Sequence, residues 1–271
     1  MKTGCLTGIV GGTVLSGLYV GSLYVWRGSW NRNDPRIIRR RFFSVLVIMT
    51  LAPVYLWVIC SPANLLELWT YMGLRGDHIA EALVLPLLLL VLFYLGPLVV
   101  CFRYHTKDYL LNECAHNGWI FARNYIVSPF SEEFVYRACL VPLLKDCFTM
   151  NQLIFVTPLF FGISHLHHMY ELVQEGVPVL RASIVTLFQM GYTCIFGAYC
   201  TFLFLRTGHL ASCFVSHAFC NLMGLPDVSL VLHQEGRMRV GILSAFLCGF
   251  GLFFYLLGPL TDPAHYGNNF Y

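Results

Sequence analysis

Residues 128–140 read SPFSEEFVYRACL, a run of helical character that keeps two adjacent acids, Glu132 and Glu133, and a base, Arg137, among apolar neighbours. Ser128-Pro129 and Ser131 mark a helix start, with Ser131 as N-cap and both acids in the first turn, where the helix dipole favours negative charge. A cap with a surface ion pair is the plain reading of such a stretch. Glu133 and Arg137 stand four residues apart on one face and can pair, which leaves Glu132 turned elsewhere and unpaired. An ionisable group inside a membrane span costs about 2.5–3.5 kcal/mol on insertion scales. An acid kept there without a partner points to a water-filled cavity.

The rest of the chain makes the membrane the relevant solvent. Of 271 residues, 57% are hydrophobic and only 11% charged, and the mean hydropathy is +0.66, whereas soluble domains are about one-quarter charged. A net charge of +3, with the bases gathered in one loop, gives no nucleic-acid footprint. Eleven cysteines scattered from Cys5 to Cys248, with no CxxC pair, read as small buried hydrophobes and not as a disulfide framework or a zinc ribbon.

A span needs roughly 20 mostly apolar residues. Working outward from the opening stretch, candidates fall at 5–26, 42–60, 80–102, 131–149, 151–168, 182–205, 209–225 and 239–259. The expected fold is therefore all-α, a polytopic bundle of about eight transmembrane helices forming one membrane domain over residues 1–271. Its first three helices, within 1–102, read as lipid-facing scaffold, and 103–267 as the motif-bearing core. The first run lacks a small-residue cleavage site and ends against arginines, which suits a retained span. Residues 117–127, NGWIFARNYIV, can lie along the interface as an amphipathic helix.

Loop 27–41 carries six arginines, Arg27, Arg32, Arg36, Arg39, Arg40 and Arg41, against Asp34, and by the positive-inside rule faces the cytosol. Alternation then places 61–79 in the lumen and 103–130, 169–181 and 226–238 in the cytosol. Glu132, His165, His217 and Asn221 all fall toward the cytosolic ends of their helices, so a polar cavity opening to the cytosol is expected.

Two further stretches carry polar groups. In FFGISHLHHMY (160–170), His165 and His168 share a face at the end of an aromatic helix while His167 points away; a favourable partner for the helix dipole is the plain alternative. In SHAFCN (216–221), His217 and Asn221 lie four apart and can donate toward one point, as donors to an oxyanion do. Helix-to-helix hydrogen bonding is the alternative there. Histidines and an acid on separate helices can also assemble a metal site, although HExxH is absent. No GxSxG elbow supports a serine nucleophile.

In this order, Glu132-Glu133 with Arg137, Phe161 with His165, and His217 with Asn221 resemble the EExxxR, FxxxH and HxxxN motifs of the type II CaaX prenyl proteases. FGAYCTFLFLRTGHL (196–210) and PLTDPAHYG (259–267) are similar to the eukaryotic branch of that family, and the likeness covers about 120–267. It implies a glutamate-type intramembrane endopeptidase of the endoplasmic reticulum membrane. Such an enzyme removes the aaX tripeptide from farnesylated or geranylgeranylated CaaX proteins, Ras-like and Rho-like small GTPases among them, without metal or other cofactor. It further implies that Glu132 and His165 activate water, that His217 and Asn221 bind the oxyanion, and that Glu133, Arg137, Phe161 and His168 support them. From another class, a transporter or channel could use buried Glu, Arg and His as an ion or proton relay. The lack of broken helices at matching positions of two halves counts against it.

Overall fold

The computed structural model describes residues 4–26, 32–104, 118–225, 231 and 233–271. Residues 27–31, 105–117, 226–230 and 232 of the expected cytosolic segments lie outside the described residues. Among the described residues the chain is helical and contains no strand. In chain order the helices are α1 (Cys5–Ser22), α2 (Pro35–Cys60), α3 (Leu65–Tyr71), α4 (Ile79–Phe93), α5 (Leu95–Tyr104), α6 (118–144), α7 (Met150–Ser164), α8 (His167–Gln174), α9 (Val179–Thr207), α10 (Leu210–Met223) and α11 (Gly236–Leu260).

Local chemistry sets several of these ends. Asp34 caps α2 by accepting from the Arg36 amide, with Pro35 at the first position, where its missing N–H costs nothing. Thr149 and Gln152 close a capping box at the start of α7. Gly208, at φ 65°, ends α9 in the left-handed region that glycine enters without strain.

Among the described residues four helices, α1, α2, α9 and α11, are long and apolar enough to cross a bilayer, and a fifth span results if α4 and α5 count as one. The span expected over 80–102 is bent by 74° between α4 and α5. Pro97 lies in the first turn of α5, where it disfavours a helix continuing from before it, and Gly96 leaves room for the Phe246 ring, which a Cβ would meet at 2.2 Å. The expected spans 151–168 and 209–225 form shorter helices, of 15 residues in α7 and 14 in α10, and 131–149 falls largely in the second half of α6.

The largest departure concerns Ser131. It is not an N-cap: α6 runs unbroken through it, with wide π turns at Arg123–Val127 and Phe134–Cys139 on either side of Ser128–Glu133. Such turns inside α-helices are frequent at functional sites. The first of them explains how Pro129 sits inside a helix. Pro129 brings no N–H to the carbonyl five residues back, that of Asn124, and the Asn221 amide donates to that carbonyl instead, at 2.9 Å.

The bundle is inverted relative to a soluble protein. Leu6, Phe155, Leu180, Leu247 and Tyr255 are exposed on its outside, whereas Glu133, Arg137, His209 and His217 are buried. The core surrounds the second half of α6, where Tyr136, Leu140, Leu143 and Leu144 pack with Leu56, Leu68 and Phe204. Nor is α1 merely lipid-facing. A Cβ on Gly8 would fall 2.3 Å from the Leu143 carbonyl oxygen, and one on Gly12 2.5 Å from Leu140 Cδ1, so two small residues four apart bring α1 against α6. At the end away from the arginine-rich loop, Arg75 donates to the carbonyls of Tyr266 and Gly267. Asn268 there donates to those of Leu205 and Arg206.

Candidate active site

The two acids of α6 are handled differently. Glu133 is fully buried, and its Oε1 accepts from Arg137 Nη1 at 3.2 Å and from His217 Nδ1 at 2.7 Å. Arg137 Nε faces the other carboxylate oxygen at 3.2 Å, out of line for a hydrogen bond, so that contact is purely ionic. Arg137 also donates from Nη2 to the Gly197 carbonyl at 3.2 Å and lies 4.6 Å over the Phe161 ring. The wide turn at 134–139 carries Arg137 back over Glu133 while reaching α9. Glu132 keeps its side chain 20% exposed, with Oε2 3.8 Å from His217 Nε2. The expected Glu133–Arg137 pair forms, and Glu132 has His217 as a neighbour where no partner was expected.

His165 follows the last residue of α7, which packs along α9 through a buried Thr157–Thr201 hydrogen bond of 2.7 Å. Its Nδ1 lies 2.8 Å from the Phe161 carbonyl oxygen. A carbonyl only accepts, so Nδ1 carries the proton and Nε2 of the neutral ring keeps its lone pair. Phe161 meets His165 edge-on at 4.8 Å, and Phe196 meets His217 likewise at 4.8 Å. These contacts fix both rings.

Glu132, His165, His168, His217 and Asn221 line one cavity of about 1060 Å³. The rest of its lining is largely aromatic and aliphatic, with Phe93, Tyr199, Phe202, Phe253 and Leu257 among it. Three segments far apart in sequence thus meet at one polar patch on a largely apolar chamber. Asn221 does not point at the same spot as His217: its amide donates to Asn124 and the His217 Nδ1 side to Glu133.

Several residues at this site carry no sequence motif. Tyr19 of α1 lines the cavity, and its hydroxyl is hydrogen-bonded to Ser131 Oγ at 2.9 Å, beside Glu132. Nothing in an apolar first span marks it. Glu171 accepts from Tyr24 at 2.7 Å and Arg41 at 3.1 Å, with His168 Nδ1 at 3.0 Å. An acid three residues after His168, on the same helical face, was a legible signal for that contact. Burial opposes ionisation of Glu171, but the His168 and Tyr24 hydrogen bonds and the Arg41 charge outweigh it and hold the carboxyl well below its usual range. His167, His168 and Glu171 offer ligand atoms within 4.8 Å of one another and could hold a cation. Glu171 already takes the Arg41 charge, and His167 Nδ1 lies 2.5 Å from the Ser164 carbonyl oxygen.

The family model described as Type II CAAX prenyl endopeptidase Rce1-like matches residues 114–223, the stretch that holds all three motif segments. CAAX prenyl protease 2 of Homo sapiens is 41% identical over 266 residues, which cover 92% of this chain and 80% of that protein. The protein of the same name from Arabidopsis thaliana is 36% identical over 279 residues, covering 93% of this chain and 87% of its own. That of Caenorhabditis elegans is 31% identical over 239 residues, covering 85% and 88%. No solved structure matches. Similarity at this level across nearly the whole of both partners, together with the segments gathered at the cavity, means that the chain belongs to the type II CAAX prenyl endopeptidase family.

Proposed function

We infer that the chain is a CaaX prenyl endopeptidase, a multi-pass membrane hydrolase that removes the aaX tripeptide from farnesylated or geranylgeranylated CaaX proteins. The observation that carries this reading is the division of labour between the two acids. Glu133 is consumed in holding Arg137 and His217, and Glu132 is left facing a cavity that Asn221 and His165 share.

A water held between Glu132 and the His165 Nε2 lone pair loses its proton to this pair as it attacks the carbonyl of the prenylated cysteine. The oxyanion that forms accepts from Nε2–H of His217 and, once the Asn221 side chain turns from its resting position, from the amide N–H that is not given to the Asn124 carbonyl. With Nδ1–H already given to Glu133, the histidine donor belongs to the doubly protonated ring. Collapse breaks the C–N bond, and the proton taken from water passes to the departing amine. Arg137, Phe161 and His168 act through others: Arg137 fixes Glu133, Phe161 orients His165, and His168 ties α8 to the site. No step needs a metal or other cofactor.

The surroundings suit such a substrate. A prenyl chain gains about 0.8 kcal/mol per buried CH₂ in an apolar phase, so it partitions into the bilayer and reaches the aromatic lining of the cavity laterally. The arginine-rich segment marks the cytosolic side, toward which the cavity opens, with the chain crossing the endoplasmic reticulum membrane about eight times when its shorter helices are counted. Ras-like and Rho-like small GTPases are the substrates that the family resemblance implies.

The deciding experiment is tripeptide release from a farnesylated CaaX peptide by detergent-purified protein. Loss of a general base lowers kcat by about 10²–10⁴, so Glu132→Gln falls by that factor, while a chelator leaves the wild-type rate in place. A near-normal Glu132→Gln rate removes Glu132 from the mechanism, and a rate lost to the chelator restores the metal alternative.

A further inference from the structure

Helix α1 and the second half of α6 pack antiparallel in one register. Tyr19 bonds Ser131, Gly12 meets Leu140 and Gly8 meets Leu143, so each step back along α1 is matched by a step forward along α6. One more turn on each side brings Cys5, three residues before Gly8, opposite Cys147, four after Leu143. The contacts agree with that register. A Cβ on Gly8 would lie 3.5 Å from Cys147 Sγ, and the thiols of Cys5 and Cys147 interact directly as hydrogen-bond partners. Cys5 opens α1 and is exposed. Cys147 stands half-buried in the turn after α6, where its amide donates to the Leu144 carbonyl at 2.9 Å.

A second pair of thiols, Cys200 and Cys213, also adjoins. Both are fully buried, and Cys213 donates to the Cys200 carbonyl at 3.3 Å, so no oxidant reaches them. Cys5 and Cys147 differ in place as well. The 18 residues of α1 rise about 27 Å at 1.5 Å each, which sets this pair across the bilayer from the arginine-rich segment. With that segment in the cytosol, as proposed above, the pair faces the lumen, an oxidising compartment in which disulfides form and persist. Nothing in the spacing of the cysteines marks the pair, because the two lie far apart in the chain and only the packing of α1 on α6 brings them together.

We propose that Cys5 and Cys147 form a disulfide that pins the lumenal end of α1 to α6. The proposal rests on the orientation given above and not on the endopeptidase activity, since neither cysteine lines the cavity. The exposed Cys5 thiolate attacks the sulfur of an oxidant disulfide, either glutathione disulfide or that of a thiol oxidoreductase, and one thiol leaves as a mixed disulfide forms. The Cys147 thiolate then attacks the Cys5 sulfur and expels the second thiol. The protein gives up two electrons and two protons, and the oxidant takes up both.

The test alkylates free thiols in intact cells before lysis and then seeks the joined peptides in a non-reducing digest of the full-length protein by mass spectrometry. The peptides that hold Cys5 and Cys147 are expected as one linked species that a reductant separates. On reduction, purified wild type is expected to lose about 5–15 °C of unfolding midpoint in detergent. Cys5→Ser, a change at an exposed position, is expected to start from the lower midpoint and stay there. Recovery of both cysteines in alkylated form overturns the proposal. So does a bond that appears only after the purified protein meets oxidised glutathione, a result that faults the orientation and not the packing. A reductant that moves Cys5→Ser as far as wild type overturns the pinning of α1. Tripeptide release from the same samples judges the endopeptidase reading separately: its failure leaves a linked pair standing, and a missing bond leaves the activity standing.

Discussion

Glu133 is the residue on which the proposed chemistry turns, although it never touches substrate. It is buried with two cationic or protonated neighbours, and removing one of them leaves charge exposed to a poor solvent. Breaking a buried ion pair from one side costs about 3–5 kcal/mol. Arg137→Ala is therefore expected to lower the unfolding midpoint in detergent markedly, and Asn221→Ala, which removes an exposed hydrogen bond to the Asn124 carbonyl, to lower it by less. Asn221→Ala should act chiefly on the reaction, lowering kcat by about 10²–10³, the usual effect of losing one oxyanion donor, with little change in KM. An Asn221→Ala enzyme of normal kcat would remove Asn221 from the oxyanion site. The pairing of Glu133 with Arg137 was legible because four residues make one helical step. The second bond, to His217, crosses between helices 84 positions apart, and no local spacing encodes it.

At the scale of elements, two helices outside the motif segments shape the site. Helix α1 sits on α6 through Gly8 and Gly12, and it carries Tyr19 to Ser131. The obstacle facing a Gly8 Cβ is backbone, which cannot swing aside, so Gly8→Ala costs about 1–3 kcal/mol, as overpacking does. It is also expected to lower activity by moving Tyr19. Unchanged stability would mean that α1 is docked by other contacts. In sequence α1 looked like lipid-facing scaffold, because glycines add apolar character without showing which face they leave open. Helix α8 is anchored by Glu171 to Tyr24 and Arg41. A carboxyl held below its unfolded value of about 4.3 contributes stability that is full above that pH and declines as pH falls toward the folded value. The difference in unfolding midpoint between wild type and Glu171→Gln is therefore expected to be largest near neutrality and to narrow below about pH 4. A gap independent of pH would show that Glu171 contributes by shape and not by charge. Ser131 was misread for a related reason: Ser-Pro with following acids has the composition of a helix start, and only the wide turn before Pro129 lets the helix pass through it.

For the molecule as a whole, membrane character and helical class followed from composition, Glu133 with Arg137 and His217 with Asn221 stood out by their i, i+4 spacing, His165 by its histidine cluster, and Phe161 only through the family resemblance. What composition does not fix is which apolar runs are long enough to cross alone. The helices that supply His165 and His217 have 15 residues and 14 residues, near 22 Å at about 1.5 Å per residue, against a hydrocarbon core of about 30 Å. A bilayer closes such a gap by dimpling toward the short helices, at fractions of a kcal/mol per Å of mismatch. Two helices this short are expected to thin the bilayer around them, which would let water reach the acids and bring the scissile bond of an anchored substrate near the surface. Lipid thickness then becomes a control on the rate: in vesicles of increasing acyl length, turnover of a lipid-anchored peptide is expected to fall while turnover of the same peptide in detergent stays constant.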